Sequence, residues 1–90
     1  MNTEKTFADR LKELRNIRNY TQEELGKITN ISVQSIRRYE QGRLNEEPSA
    51  YNLLQLAKAL DVTPEYLLIG DNNMTSYTEA IKRELKQLND

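Results

Sequence analysis

Residues 21–42 read TQEELGKITNISVQSIRRYEQG, from Thr21 to Gly42, and this stretch decides the fold. Thr21-Gln22-Glu23-Glu24 is a capping-box pattern, in which a threonine and a glutamate three residues on satisfy each other's backbone donors at a helix start. Leu25 and Ile28 follow as the expected buried residues of a short helix. Gly26 falls inside it, where glycine costs about 1 kcal/mol against alanine; close approach of a neighbouring helix would compensate. Thr29-Asn30-Ile31 is the expected turn, because asparagine tolerates a left-handed backbone better than most residues with a side chain. Ser32 then caps a second helix over residues 33–41, with Ile36 and Tyr39 facing inward and Gly42 ending it. Two short helices joined by a tight corner make a helix-turn-helix.

The flanking sequence extends the same helical grammar. Phe7, Leu11, Leu14 and Ile17 recur at spacings of four, three and three, which predicts a helix over residues 6–18 with one apolar face. Thr6 caps it, and Asp9 complements the dipole of its first turn. After the polar loop 43–48, Ser49 caps a fourth helix carrying Leu53, Leu56, Ala57 and Leu60. Thr63-Pro64 opens a fifth, with proline at the tolerated first position, and Tyr66, Leu67 and Leu68 close the core. With only three Gly and two Pro in 90 residues, the reading is all-α: a compact five-helix domain over residues 1–70.

Residues 71–90 form a linker, Gly70-Asp71-Asn72-Asn73, and a C-terminal amphipathic helix. Ser76 to Glu79 repeats the capping-box pattern. Tyr77, Ile81, Leu85 and Leu88 make an apolar stripe at four, four and three. A helix of this length is marginal alone, so the stripe needs a partner surface. Two readings stay open: a sixth helix docked on its own domain, or a dimerisation seam with a second copy. The linker and the near-heptad period favour the seam, although Glu84 interrupts it.

Composition narrows the chemistry. The chain has neither Cys nor His, which removes the usual thiol, imidazole and zinc-cluster options. No carboxylate pair falls on an expected cleft and no glycine-rich phosphate loop is present, so no catalysis, metal or cofactor is expected. No apolar run reaches the roughly 20 residues of a membrane span, and the N-terminus has no signal-peptide core, so a cytoplasmic location is expected. The net charge is -1, yet it is unevenly spread. Residues 1–20 and 31–45 each carry +2, whereas residues 46–70 carry -3. Attraction to phosphate follows the local face, so the near-zero total does not argue against nucleic acid.

At Gln22, Leu25, Ser35-Ile36, Glu40, Gly42 and Pro48, and through LLQLAKALDVTPEYLL, the chain resembles the lambda-repressor, Cro and Xre helix-turn-helix family over roughly residues 5–69. The resemblance implies a DNA-binding domain whose third helix enters the major groove, usually as a homodimer on a palindromic operator. It implies that Gln22 grips a phosphate and buttresses the recognition helix. Gln34 and Arg38 match positions facing base edges, where glutamine suits adenine and arginine guanine. Val33 matches a third base-facing position, suited to a thymine methyl. Arg37, one step round the helix, would reach phosphate, and Arg43 matches a backbone-contacting position. Arg15 and Glu40 match a structural ion pair between the first and third helices. The loop before Pro48 is somewhat longer than the family pattern and carries Glu46-Glu47, which would repel phosphate. Gly26 stands for the usual alanine and Asn30 for the usual glycine.

The expected function is therefore a transcriptional regulator of double-stranded DNA, most simply a phage- or mobile-element-type repressor. The rival is a protein-interaction module, an antitoxin-like regulator whose tail binds a regulatory partner protein. Salt separates the two, because binding through several phosphates weakens steeply between about 50 and 200 mM salt and an apolar tail contact does not.

Overall fold

The computed structural model describes residues 5–42 and 47–70. Among these residues it contains five helices: α1 (Phe7–Ile17), α2 (Gln22–Thr29), α3 (Val33–Gln41), α4 (Ala50–Leu60) and α5 (Pro64–Ile69). Each begins at a residue able to close its first turn. Thr6 Oγ1 accepts the Asp9 N–H at 3.2 Å while Asp9 Oδ2 accepts the Thr6 N–H at 3.1 Å. Thr21 and Glu24 make the same reciprocal pair. Ser32, Ser49 and Thr63 accept from the backbone N–H of Ser35, Asn52 and Tyr66, so each of α3, α4 and α5 has one of its orphan donors met by its cap.

The helix ends are set by left-handed residues. Asn30 (φ 59°) turns α2 into α3, Gly42 (φ 67°) stops α3, and Asp61 (φ 56°) and Gly70 (φ 77°) stop α4 and α5. Gly26 answers a close approach, by the backbone of the turn first and by the start of α3 next. A Cβ there would lie 2.8 Å from the Ile31 carbonyl oxygen and 3.7 Å from the Val33 nitrogen. The corner is therefore tight enough to require glycine on α2.

α1 packs on α3 and α5, α2 on α3 and α4, and α4 on α5. Leu11, Leu25, Ile36, Leu56, Leu60 and Leu67 are fully buried at the centre, with Phe7, Ile31, Tyr39 and Val62 around them. Leu14, Leu53, Tyr66 and Leu68 are only partly buried against this cluster. Two apolar expectations fail. Ile28 is 53% exposed and Ile17 62% exposed. The inward face of α2 is carried by Leu25, Gly26 and Thr29; Gly26 and Thr29 lie on the far side of Leu25 from Ile28 at 100° per residue. The Thr29 hydroxyl is buried because it donates to the Leu25 carbonyl at 2.7 Å. In α1 the buried positions sit in the first two turns, so Ile17 overruns the core.

Arg10 is a feature the sequence reading passed over. It is buried, and its guanidinium donates to the carbonyls of Leu67 (2.9 Å), Leu68 (2.7 Å) and Lys5. It thereby closes the C-terminal carbonyls of α5 with a cation, which the helix dipole favours. Arg10 falls on the helical wheel between Leu14 and Ile17, so its place on the apolar stripe was readable. No buried side-chain nitrogen or oxygen among the described residues lacks a partner.

Candidate nucleic-acid interface

The α3 helix has two unlike faces. Ile36, Tyr39 and Glu40 are buried, while Gln34, Arg37, Arg38 and Gln41 are exposed and Val33 is half-buried. At 100° per residue, positions 33, 34, 37, 38 and 41 fall on one continuous strip. Two cations and two amides therefore share a face with a single apolar side chain at its edge, which is the mix that base edges and phosphates accept.

The inner face is fixed from three directions. The Tyr39 ring meets Phe7 of α1 edge to face, centroids 5.9 Å apart, and the Tyr39 hydroxyl accepts from Asn52 Nδ2 of α4 at 3.1 Å. Glu40 is the hub of the third restraint. Arg15 Nε donates to Oε2 at 2.6 Å and Arg15 Nη2 to Oε1 at 3.0 Å, a two-point grip of guanidinium on carboxylate. Gln22 Nε2 donates to the same Oε1 at 3.1 Å. Arg15 Nη1 also donates to the Tyr20 carbonyl at 2.7 Å, in the link between α1 and α2. The hydrogen bond to Glu40 raises the Arg15 pKa further above its usual value, against the smaller opposing effect of burial. The Glu40 side chain is 2% exposed and that of Arg15 13%. One carboxylate thus ties α1, α2 and α3 together beneath the exposed strip.

The outer side chains are loosely held by comparison. Arg37 Nη2 lies 3.4 Å from Glu23 Oε2 on α2, an exposed pair. Arg38 Nη2 donates to Ser35 Oγ at 3.3 Å, and Ser35 Oγ accepts from Ser32 Oγ at 2.9 Å. Pairs of this kind hold side chains near a pose at little cost to re-aim them.

Of the residues singled out from the sequence, Gln22, Arg15 and Glu40 come together in one network. Val33, Gln34, Arg37 and Arg38 share the exposed strip. Arg43 and the tail residues Tyr77, Ile81, Leu85 and Leu88 lie outside the described residues. Gln41, the last residue of the expected helix and given no role there, ends α3 on the same strip. The period of α3 itself, with inward Ile36 and Glu40, was the signal that could have placed it there.

A helix-turn-helix family model, HTH_3, matches residues 11–67. The chain belongs to this helix-turn-helix family, of lambda-repressor and Xre type. It is 38% identical over 84 residues to the repressor protein C2 of Salmonella phage P22, covering 93% of this chain and 38% of that protein. It is 34% identical over 68 residues to the transcriptional regulator DicA of Escherichia coli, covering 76% of this chain and 49% of DicA. The chain thus spans less than half the length of each of these two relatives. Among solved structures, the P22 c2 repressor bound to a synthetic operator superposes with a TM-score of 0.70 at 35% identity, covering 76% of this chain and all of that one. The helix-turn-helix fold read from the sequence, all-helical with five helices over residues 1–70, is the one observed among the described residues. No helix among the described residues is long and apolar enough to cross a membrane.

Proposed function

We propose that this chain is a sequence-specific regulator of transcription: a homodimeric repressor that reads a palindromic double-stranded operator through α3. The observation that carries the reading is the exposed strip of α3, clamped from behind by the buried Arg15–Glu40–Gln22 network. A reading helix must present its side chains in a fixed register, because a displacement of an ångström or so forfeits a bidentate contact to a base edge. Here Gln34 and Arg38 would meet bases and Val33 a thymine methyl, while Gln22, Arg37 and Arg43 would hold phosphates.

Support comes from the P22 c2 repressor, solved on a synthetic operator. Two copies of α3 would enter successive major grooves about 34 Å apart, and the half-site spacing would mirror the dimer. The tail stripe of Tyr77, Ile81, Leu85 and Leu88 would supply the seam between copies. Residues 1–70 would then be the reading unit and residues 71–90 the pairing unit. Occupancy beside a promoter would exclude polymerase.

The test is selection from a random duplex library with the purified chain at about 100–150 mM salt, where charge alone no longer dominates binding. An enriched inverted repeat is expected. Enrichment of an unpaired half-site would remove the dimer from the reading, and no enrichment by a folded protein would remove DNA specificity itself.

A further inference from the structure

Beside the exposed strip lies an open cleft of about 440 Å³, lined by Lys12, Gln22, Arg37, Glu40 and Gln41. It draws on three helices, α1 through Lys12, α2 through Gln22 and α3 through the rest. Its one carboxylate, Glu40, is already spent: both oxygens are taken by Arg15, and one also by Gln22. Arg37 is turned toward Glu23 at 3.4 Å across an exposed pair, which is worth little and is easily exchanged. Lys12 is exposed and has no ion-pair partner among the described residues. Of its neighbours on α1, Glu13 is taken up by Lys5 at 2.6 Å, and Asp9, three residues earlier, accepts the Thr6 N–H through one oxygen and interacts with Lys12 through its charge alone. Two cations and two amide side chains therefore converge on a space whose only acid is neutralised. That is the donor set for one singly charged oxyanion group open to solvent on one side.

We propose that Lys12, on the first helix, is a DNA-contacting residue that adds its charge, at this cleft, to the seat of the backbone phosphate already given to Gln22 and Arg37. The proposal rests on the DNA-binding reading above and adds to it a contact from outside the helix-turn-helix. A phosphate held at once by α1, α2 and α3 would fix the angle at which α3 meets the groove. On binding, Arg37 would leave Glu23 for the phosphate, and the Lys12 ammonium would enter as a point charge.

The experiment measures binding of the full chain to a short mixed-sequence duplex across about 50–200 mM salt, with Lys12→Gln and a control, Lys58→Gln on α4 outside the cleft. Lys12→Gln is expected to weaken binding about 5–10-fold and to lower the salt slope by about one, the signature of one lost phosphate contact. Lys58→Gln should stay near wild type, Lys12→Arg should retain most of the affinity, and all should keep the wild-type melting temperature. Lys12→Gln binding like wild type would overturn the proposal. Equal losses in Lys12→Gln and Lys58→Gln would also overturn it, by showing a diffuse field in place of a seat. Failure of the wild-type chain to bind any duplex would instead bring down the DNA-binding reading itself, and the seat with it.

Discussion

The two faces of α3 lie a few ångströms apart and follow different physical rules. Inward, Ile36, Tyr39 and Glu40 are held by packing, a ring contact and a three-helix hydrogen-bond hub. Outward, Arg37 meets Glu23 at 3.4 Å and Arg38 meets Ser35 at 3.3 Å, both long contacts on an exposed surface. The inner face therefore sets where the helix is, and the outer face is left to say what it meets. The lesson is that precision at a reading surface is built behind it. Substitutions on the two faces should consequently separate stability from specificity.

The largest effect is expected from Glu40→Ala. It strands the Arg15 guanidinium in a largely buried site, and breaking such a pair from one side costs about 3–5 kcal/mol. Urea unfolding should show the loss, and an Arg15→Ala, Glu40→Ala double variant should be less damaged than the sum of the singles. Strict additivity would mean that the pair does not act as one lock.

Arg38→Ala probes the opposite face. It should leave stability within about 0.5 kcal/mol, yet cost about 1–3 kcal/mol on the selected operator and relax preference at one base position. If it instead weakens all duplexes alike, Arg38 belongs with the phosphate contacts and the division of labour along the strip must be redrawn.

Between these faces sits the corner, which both depend on. Asn30 holds φ 59°, and Asn30→Ala should cost about 1 kcal/mol, since alanine lacks the local hydrogen bonding that eases a left-handed backbone. Asn30→Gly should be close to neutral in the same thermal melts. A large loss for glycine would mean that the asparagine side chain, and not its backbone, secures the turn.

How legible the molecule was follows the same division. Caps and corners were readable because each is a local event: Thr6, Thr21, Ser32, Ser49 and Thr63 close their own helices, and Asn30 and Gly42 turn where their φ preferences say. Burial was less so, because it depends on which side of a short helix meets its neighbours. Ile28 looked inward by spacing from Leu25, whereas the face is set by Gly26 under the Ile31 carbonyl and by Thr29. Arg10 was missed for a related reason: nothing near it in sequence reveals that the carbonyls it needs are those of Leu67 and Leu68. The Arg15–Glu40 pairing came from resemblance, and no periodicity would have supplied the added bond from Gln22.

The smallest expected effect lies farthest from α3 and tests whether distant caps bear on it. The Asp9 carboxylate accepts the Thr6 backbone N–H, and that bond, followed by the Thr6 side-chain bond, lowers its pKa below the usual value of 3.8. A carboxyl whose pKa is depressed by folding stabilises the native state above its unfolded pKa and loses that contribution as pH falls through the folded value. The window is therefore below about pH 4, where unfolded aspartate begins to take up protons. In thermal melts, Asp9→Ala should melt slightly below wild type at pH 6 to 7, and the gap should close as pH falls toward 2.5. A gap that persists unchanged to the lowest pH would assign the difference to alanine's effect on the helix rather than to the charged cap. Because α1 carries Arg15, a weakened cap that also loosened operator binding at neutral pH would extend the support of the reading helix to the first turn of α1.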